Sequence, residues 1–165
     1  LYRSFERSGA YLLQAIALDL GLDVDYFKDK IHHGNSILRA IHYPPIIQEP
    51  DSAIRSEQHE DINLITVLPA ANEPGLQVLT KAGEWLDVPC DFGFLIVNIG
   101  DMLQEASGGY FPSTTHRVIN PPPSAANVSR ISLPLFLHPR PEVVLSERHT
   151  ADSYLQERLR ELGFK

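Results

Sequence analysis

The 165-residue sequence has few of the features that mark secreted or membrane-spanning chains. Its single cysteine, Cys90, cannot form an internal disulfide, which favours a reducing compartment. No apolar run approaches the roughly 20 residues of a membrane span, and no basic-then-apolar leader is present. These absences predict a cytoplasmic protein without a membrane partner.

An excess of positive charge is also missing. The chain carries 14 basic and 21 acidic residues, and the segment 49–105 alone holds eleven acidic residues against Arg55 and Lys81. There is no basic stripe with interleaved aromatics, which a surface that follows phosphates would need. We therefore expect no nucleic-acid partner.

What remains is the composition of one globular domain. Hydrophobic residues make up 43% of the chain and charged residues 21%, which excludes a disordered chain and a coiled coil. The chain opens with Leu1 rather than Met, so we expect it to be part of a longer protein.

Hydrophobic patterns predict an all-β core between helices. Helical spacing predicts a helix over 4–20 and a short helix within 23–31, and an amphipathic helix over 151–162 is stopped by Gly163. Between them, short apolar segments separated by turn residues predict strands at 36–43, 61–68, 76–80, 84–88, 94–99, 114–119 and 129–138. Lys81-Ala82-Gly83 predicts a hairpin turn. The expected division is a helical lead-in at 1–35, a β core at 36–139 and a C-terminal helical segment at 140–165 that packs on the core.

Two predicted strands carry a mixed face. In 129–138 one face is aliphatic, and the other holds Arg130, Ser132, Pro134, Phe136 and His138. In 36–43, Arg39 and Tyr43 share a face with two isoleucines. Such a face is either exposed to solvent or lines a pocket, and the sequence leaves both alternatives open.

Three residues are candidate metal ligands. His59 and Asp61 are two positions apart, so on an extended segment they point the same way. His116 lies in a β-type segment that a sheet can bring beside them. Two histidines and one carboxylate form the facial triad of non-haem Fe(II) oxygenases, which leaves coordination positions open. The alternative is that these are ordinary surface or structural residues.

A second group is a candidate carboxylate clamp. Arg130 offers a bidentate guanidinium, Ser132 offers a hydroxyl on the same face, and Tyr43 offers a phenol. A dicarboxylate held away from a metal would need such a group. Each residue taken alone also has an ordinary explanation.

Taken together, the motifs carry a family resemblance. From Leu38 to Pro139 the sequence resembles the isopenicillin N synthase-like branch of the Fe(II)/2-oxoglutarate-dependent oxygenases. The matching motifs stand in the family's order: Leu38 to Pro45, His59 to Leu68, Gly75 to Val78, Gly83 to Trp85, Val97 to Asp101, His116 to Val118 and Arg130 to Pro134.

The resemblance implies a mainly β fold, a double-stranded β-helix or jelly roll of eight strands, with flanking N- and C-terminal helices. It implies that iron is bound by His59, Asp61 and His116. It also implies that Arg130, Ser132 and Tyr43 hold the distal carboxylate of 2-oxoglutarate. Phe136 and Arg39 fall at positions that can face the substrate.

The implied activity is that of a dioxygenase that uses Fe(II), 2-oxoglutarate and O₂. Oxidative decarboxylation of 2-oxoglutarate to succinate and CO₂ would be coupled to hydroxylation or desaturation of a small molecule. Two alternatives stay open: a 2-oxoglutarate-independent oxidase of the same branch, and a non-catalytic metal-binding jelly roll. The sequence indicates neither the substrate nor the oligomeric state.

Three departures from the family pattern stand out. Glu60 occupies a position that is more often Thr, and we expect it to point away from the metal. The loop after His116 is longer than usual by the segment Pro121 to Ala126. Most of the family's N-terminal region, which contributes to the substrate pocket, is absent from this sequence.

Overall fold

The computed structural model describes residues 1–47, 52–122 and 127–163, which form helices and short strands. Most of the predicted long segment Pro121 to Ala126 lies outside the described residues. The helices are α1 (Tyr2–Asp19), α2 (Lys28–Ile31), α3 (Asp101–Ala106) and α4 (Ala151–Glu161). The strands are β1 (Ile37–Leu38), β2 (Ile41–Tyr43), β3 (Ser56–His59), β4 (Ile65–Pro69), β5 (Leu76–Leu79), β6 (Trp85–Asp87), β7 (Leu95–Ile99), β8 (His116–Val118), β9 (Arg130–Ser132) and β10 (Leu135–Leu137).

The strands form three antiparallel sheets. Two sheets have four strands each, in the orders β1-β10-β4-β7 and β3-β8-β5-β6, and β2 pairs with β9 in a third. The predicted hairpin at Lys81-Ala82-Gly83 joins β5 to β6, with Gly83 at φ 81° in the left-handed region. A β core with a helix before it and a helix after it is therefore confirmed.

Helix α1 covers the inner face of strands β4 and β10. Its buried residues Phe5, Gly9, Leu13 and Ala17 recur every four positions and therefore form one stripe. This stripe packs in one core cluster with residues that include Leu137. A side chain at position 9 would meet Leu137 at 2.9 Å, so Gly9 permits the close approach of helix and sheet.

The segment 129–138 does not form the single strand that its pattern predicts. It forms β9 and β10, which belong to different sheets, and the chain breaks between them at Leu133-Pro134. Pro134 has no N–H to donate to a ladder. The aliphatic face is unevenly buried, since Ile131 is 49% exposed whereas Leu135 and Leu137 are fully buried.

Other boundaries also differ from the predicted ones. The segment 36–43 is divided into β1 and β2, the strand predicted at 61–68 begins at Ile65, and the second helix covers only Lys28–Ile31. Two elements, β3 and α3, were not predicted. The residues of β3 are Ser, Glu, Gln and His, which carry no strand signature, and six residues are too few for α3 to show helical periodicity.

Side-chain hydrogen bonds cap the start of the C-terminal helix. Helix α4 begins with a capping box in which the side chains of Thr150 and Ser153 accept hydrogen bonds from each other's backbone N–H groups.

No helix in the described part of the chain combines the length and apolar character needed to cross a bilayer. The division into a lead-in, a core and a C-terminal segment stays a prediction.

The different burial of β9 and β10 can be tested by stability. We expect Leu137→Ala to lower the free energy of unfolding by about 2–5 kcal/mol, because it leaves a cavity in the core. Ile131→Ala, a matched change on an exposed side chain, should cost less than about 0.5 kcal/mol. Urea denaturation measures both, and equal losses would contradict the different burial of the two side chains.

Candidate metal centre and carboxylate clamp

One cavity of about 150 Å³ brings together every residue that the sequence nominated for a site. Its lining includes Arg39, Tyr43, His59, Asp61, His116, Arg130, Ser132 and Phe136. Most residues of the two mixed faces therefore line a pocket, whereas His138 and Ile37 lie outside its lining. The role of each residue in that pocket stays a prediction.

His59, Asp61 and His116 form a compact cluster of ligand atoms. His59 ends β3, and the antiparallel register places it opposite His116 at the start of β8. The Nε2 atom of each histidine lies 3.8 Å from Oδ1 of Asp61. One ligand atom from each residue lies within 4.8 Å of the others, which suits a single divalent ion.

Backbone carbonyls orient both imidazole rings. Nδ1 of His59 lies 2.7 Å from the carbonyl oxygen of Glu57, and Nδ1 of His116 lies 2.8 Å from that of Thr114. A carbonyl oxygen only accepts, so each Nδ1 carries the proton and donates it. Each Nε2 then keeps a lone pair that is available to a metal ion.

Asp61 is held by one of its two carboxylate oxygens. Its side chain is 6% exposed, and Oδ2 accepts from Thr66 Oγ1 at 2.5 Å and from Asn98 Nδ2 at 2.9 Å. Asn63 Nδ2 in turn donates to Thr66 Oγ1. Oδ1 is therefore the oxygen that faces the histidines. The sequence motifs contain these supporting residues, but a polar side chain within an apolar strand was the only signal of their role.

The start of α3 fixes the backbone of the loop that carries Asp61. The N–H of Gly100 donates to the carbonyl of Leu64, and the N–H of Asp101 donates to that of Asp61. A Cβ at Gly100 would fall within 3 Å of both Asn63 and Asp61 backbone oxygens. Only glycine permits this close approach, so the loop and the helix hold each other in place.

Glu60 lies outside the lining of the cavity, as expected, and its carboxylate makes a structural hydrogen bond. Its Oε1 accepts from Thr115 Oγ1 at 2.7 Å, and this bond joins the turn before Asp61 to the strand of His116. Behind it, the buried carboxylate of Asp101 faces Arg158 of α4, with Nε 3.1 Å from Oδ2. Burial raises the pKa of Asp101, and the neighbouring Glu60 adds to that rise.

The second group is organised around a buried cation. Arg130 is 2% exposed and lies opposite Tyr43 in the register of β9 and β2, two positions from the pair of Ser132 and Ile41. Its Nε donates to the carbonyl of Glu73, whereas the buried Nη1 has no partner among the described residues. Burial lowers the pKa of Arg130, yet arginine stays protonated in proteins. A buried guanidinium without a carboxylate fits an anionic ligand.

Tyr43 keeps its proton beside this cation. Burial raises the pKa of its phenol, although the positive charges of Arg130, Arg55 and Arg39 act in the opposite direction. At neutral pH the phenol is therefore a hydrogen-bond donor, as a carboxylate ligand requires.

The support of Asp61 can be tested through metal affinity. We expect Asn98→Ala to weaken Co(II) binding about 10- to 100-fold, because Asp61 loses one of the bonds that orient it. Asn120→Ala removes a comparable amide from an exposed loop and should leave the affinity unchanged. Titration of the cobalt absorption spectrum measures both, and equal affinities in the two variants would contradict this role.

The sequence of this chain is similar to those of many known proteins. The sequence profile of the 2OG-Fe(II) oxygenase superfamily matches residues 34–139. Isopenicillin N synthase of Amycolatopsis lactamdurans is 34% identical over 146 residues, which cover 83% of this chain and 43% of the synthase. The chain spans about a third of the length of other curated relatives that it matches.

Solved structures agree in fold. A crystal structure of a Shewanella oneidensis protein, described as an oxygenase, is 58% identical and has a TM-score of 0.83, covering 98% of this chain and 62% of its own. A full-length Neurospora crassa protein, solved in complex with α-KG and thymine, is 27% identical with a TM-score of 0.86 and covers 98% and 54%. Oxygenases of this kind have a jelly-roll fold, and helices precede and follow the β core of this chain, so the predicted fold class is confirmed. Fe(II), 2-oxoglutarate and O₂ are the cofactor and cosubstrates of these enzymes. The chain therefore belongs to the 2OG-Fe(II) oxygenase superfamily.

Proposed function

We propose that this chain is the catalytic core of a non-haem Fe(II) dioxygenase. It would couple oxidative decarboxylation of 2-oxoglutarate to hydroxylation or desaturation of a small molecule. One observation carries the proposal: a preoriented pair of imidazoles and one carboxylate oxygen share a single cavity with a buried arginine whose Nη1 has no partner among the residues that the structure describes.

In this proposal His59, Asp61 and His116 hold the iron. Two neutral imidazoles and one carboxylate leave a residual positive charge on Fe(II), which favours chelation of a 2-oxo acid. When bound, the iron and 2-oxoglutarate supply the activation of O₂, and the protein's task is to hold and orient them.

Arg130, Ser132 and Tyr43 would bind the distal carboxylate of 2-oxoglutarate. The guanidinium supplies the charge, the phenol is protonated, and both belong to the β2-β9 pair. Much of the remaining lining is aliphatic, from residues such as Leu68, Leu76, Val78, Ile96 and Val118, and excludes water from the reacting groups.

The substrate would bind near Phe136 and Arg39, which also line the cavity. Structural relatives of the chain have been solved with small molecules such as thymine. We accordingly propose a small-molecule substrate, a cytoplasmic location in keeping with the single cysteine, and no nucleic-acid partner.

The proposal predicts a spectroscopic signature. Anaerobic protein with Fe(II) and 2-oxoglutarate should show the visible charge-transfer band of the chelate. His116→Ala should abolish the band because it removes a ligand. Arg130→Ala should weaken 2-oxoglutarate binding by at least about tenfold because it removes the charged partner of the distal carboxylate.

Controls separate the alternatives. Arg148→Gln, a charge change on an exposed loop, should leave the band intact. Bound iron without a band, together with O₂ uptake that forms no succinate, would indicate the 2-oxoglutarate-independent oxidase instead. Metal binding without O₂ uptake under any condition would indicate a non-catalytic metal-binding protein.

A further inference from the structure

The register of the strands gives the cavity two distinct ends. At one end Arg130 faces Tyr43 across β9 and β2. At the other end Phe136 of β10 lies opposite Thr66 of β4, whose hydroxyl donates to the candidate metal ligand Asp61. The clamp and the metal centre are therefore separated along the course of β9 and β10.

A second arginine, Arg39, lines the cavity beside Phe136. The N–H of Arg39 donates to the carbonyl of Pro134, in the break between the β2-β9 and β1-β10 pairs. Its guanidinium carbon lies 5.6 Å from the ring centroid of Phe136, and both residues line the cavity. Unlike Arg130, Arg39 is exposed, so its charge is presented at the solvent side of the cavity.

With Fe(II) and 2-oxoglutarate bound, the cavity would carry an excess of positive charge. Arg39, Arg130 and Asp61 are its charged lining residues. Two arginines and a divalent cation, set against one carboxylate and the dianion 2-oxoglutarate, leave one positive charge. Within the described ranges, no acidic side chain is within ion-pair distance of Arg39.

A third cation, Arg55, lies near Tyr43 but does not line this cavity. Arg55 acts on the phenol of Tyr43, but its Nη2 donates to the carbonyl of Val128 and it lines a different cavity. Since the buried Arg130 is assigned to 2-oxoglutarate, Arg39 is the cavity cation that remains for another ligand.

We propose that the substrate is an organic acid whose carboxylate binds Arg39 and whose hydrocarbon part packs on Phe136. The inference rests on the proposed function, because it assigns the clamp to 2-oxoglutarate and the triad to iron. A guanidinium suits a carboxylate through its paired donors, and the phenyl ring supplies an apolar surface beside it. In this arrangement Arg39 sets the charge of the substrate that can enter.

Matched pairs of probes test the charge separately from the shape. Benzoate is compared with benzamide, and cyclohexanecarboxylate with its amide, on anaerobic protein saturated with Fe(II) and 2-oxoglutarate. Binding is measured by ligand-observed NMR and by perturbation of the charge-transfer band, whose persistence shows that the clamp still holds 2-oxoglutarate. We expect at least one acid to bind about tenfold or more tightly than its amide.

Variants assign that preference to one residue. Arg39→Gln should remove the preference for the acid while the charge-transfer band with saturating 2-oxoglutarate still forms, and Arg39→Lys should retain part of the preference. Arg148→Gln makes the same change in net charge on an exposed loop and should retain all of it. Equal binding of acid and amide to the native protein, binding of neither, or a preference that survives Arg39→Gln would overturn the proposal.

A failure of the dioxygenase proposal itself would give a different experimental result. If the native protein binds iron but forms no band with 2-oxoglutarate, the dioxygenase proposal fails before any probe is added. If the band forms and the acids show no preference, the dioxygenase proposal stands and only the substrate class is wrong.

Discussion

The Asp61 carboxylate is bound by Thr66 and Asn98 on one oxygen, and the rest of the site depends on that asymmetry. A carboxylate that is free to rotate would offer either oxygen in many directions. With Oδ2 occupied, Oδ1 is the oxygen that faces the two histidines, whose own Nδ1 atoms are fixed by backbone carbonyls. The site is thus preorganised by side-chain and main-chain hydrogen bonds that were formed on folding.

Charge is distributed along the cavity according to depth. Arg130 is buried and lies beside a protonated phenol, whereas Arg39 is exposed and lies beside a phenyl ring. A buried cation without a carboxylate is costly unless an anion joins it, so the structure is poised for a cosubstrate at that end. The exposed cation bears no such cost and is suited to select what arrives from solvent.

The sequence predicted the site better than it predicted the strands that carry it. Short motifs such as His59-Glu60-Asp61 depend on residue type and spacing, which a sequence displays directly, and all eight nominated residues line one cavity. Strand limits depend on tertiary pairing: the segment 129–138 is divided at Pro134 between two sheets. The polar strand β3 and the six-residue α3 could not be predicted because neither has a periodic apolar face. Asn98 was visible in a motif, but its bond to Asp61 arises only when β7 pairs with β4.

The contact between α1 and β10 has a consequence for how the protein folds. Leu13 and Leu137 share the main core although they are far apart in the sequence. A helix that leaves the ribosome before the strands therefore has no surface to cover until most of the β segment has been synthesised. Contacts of such sequence separation slow folding and keep apolar stripes unprotected in the meantime. The closure of this core is accordingly a late event in the life of the nascent chain.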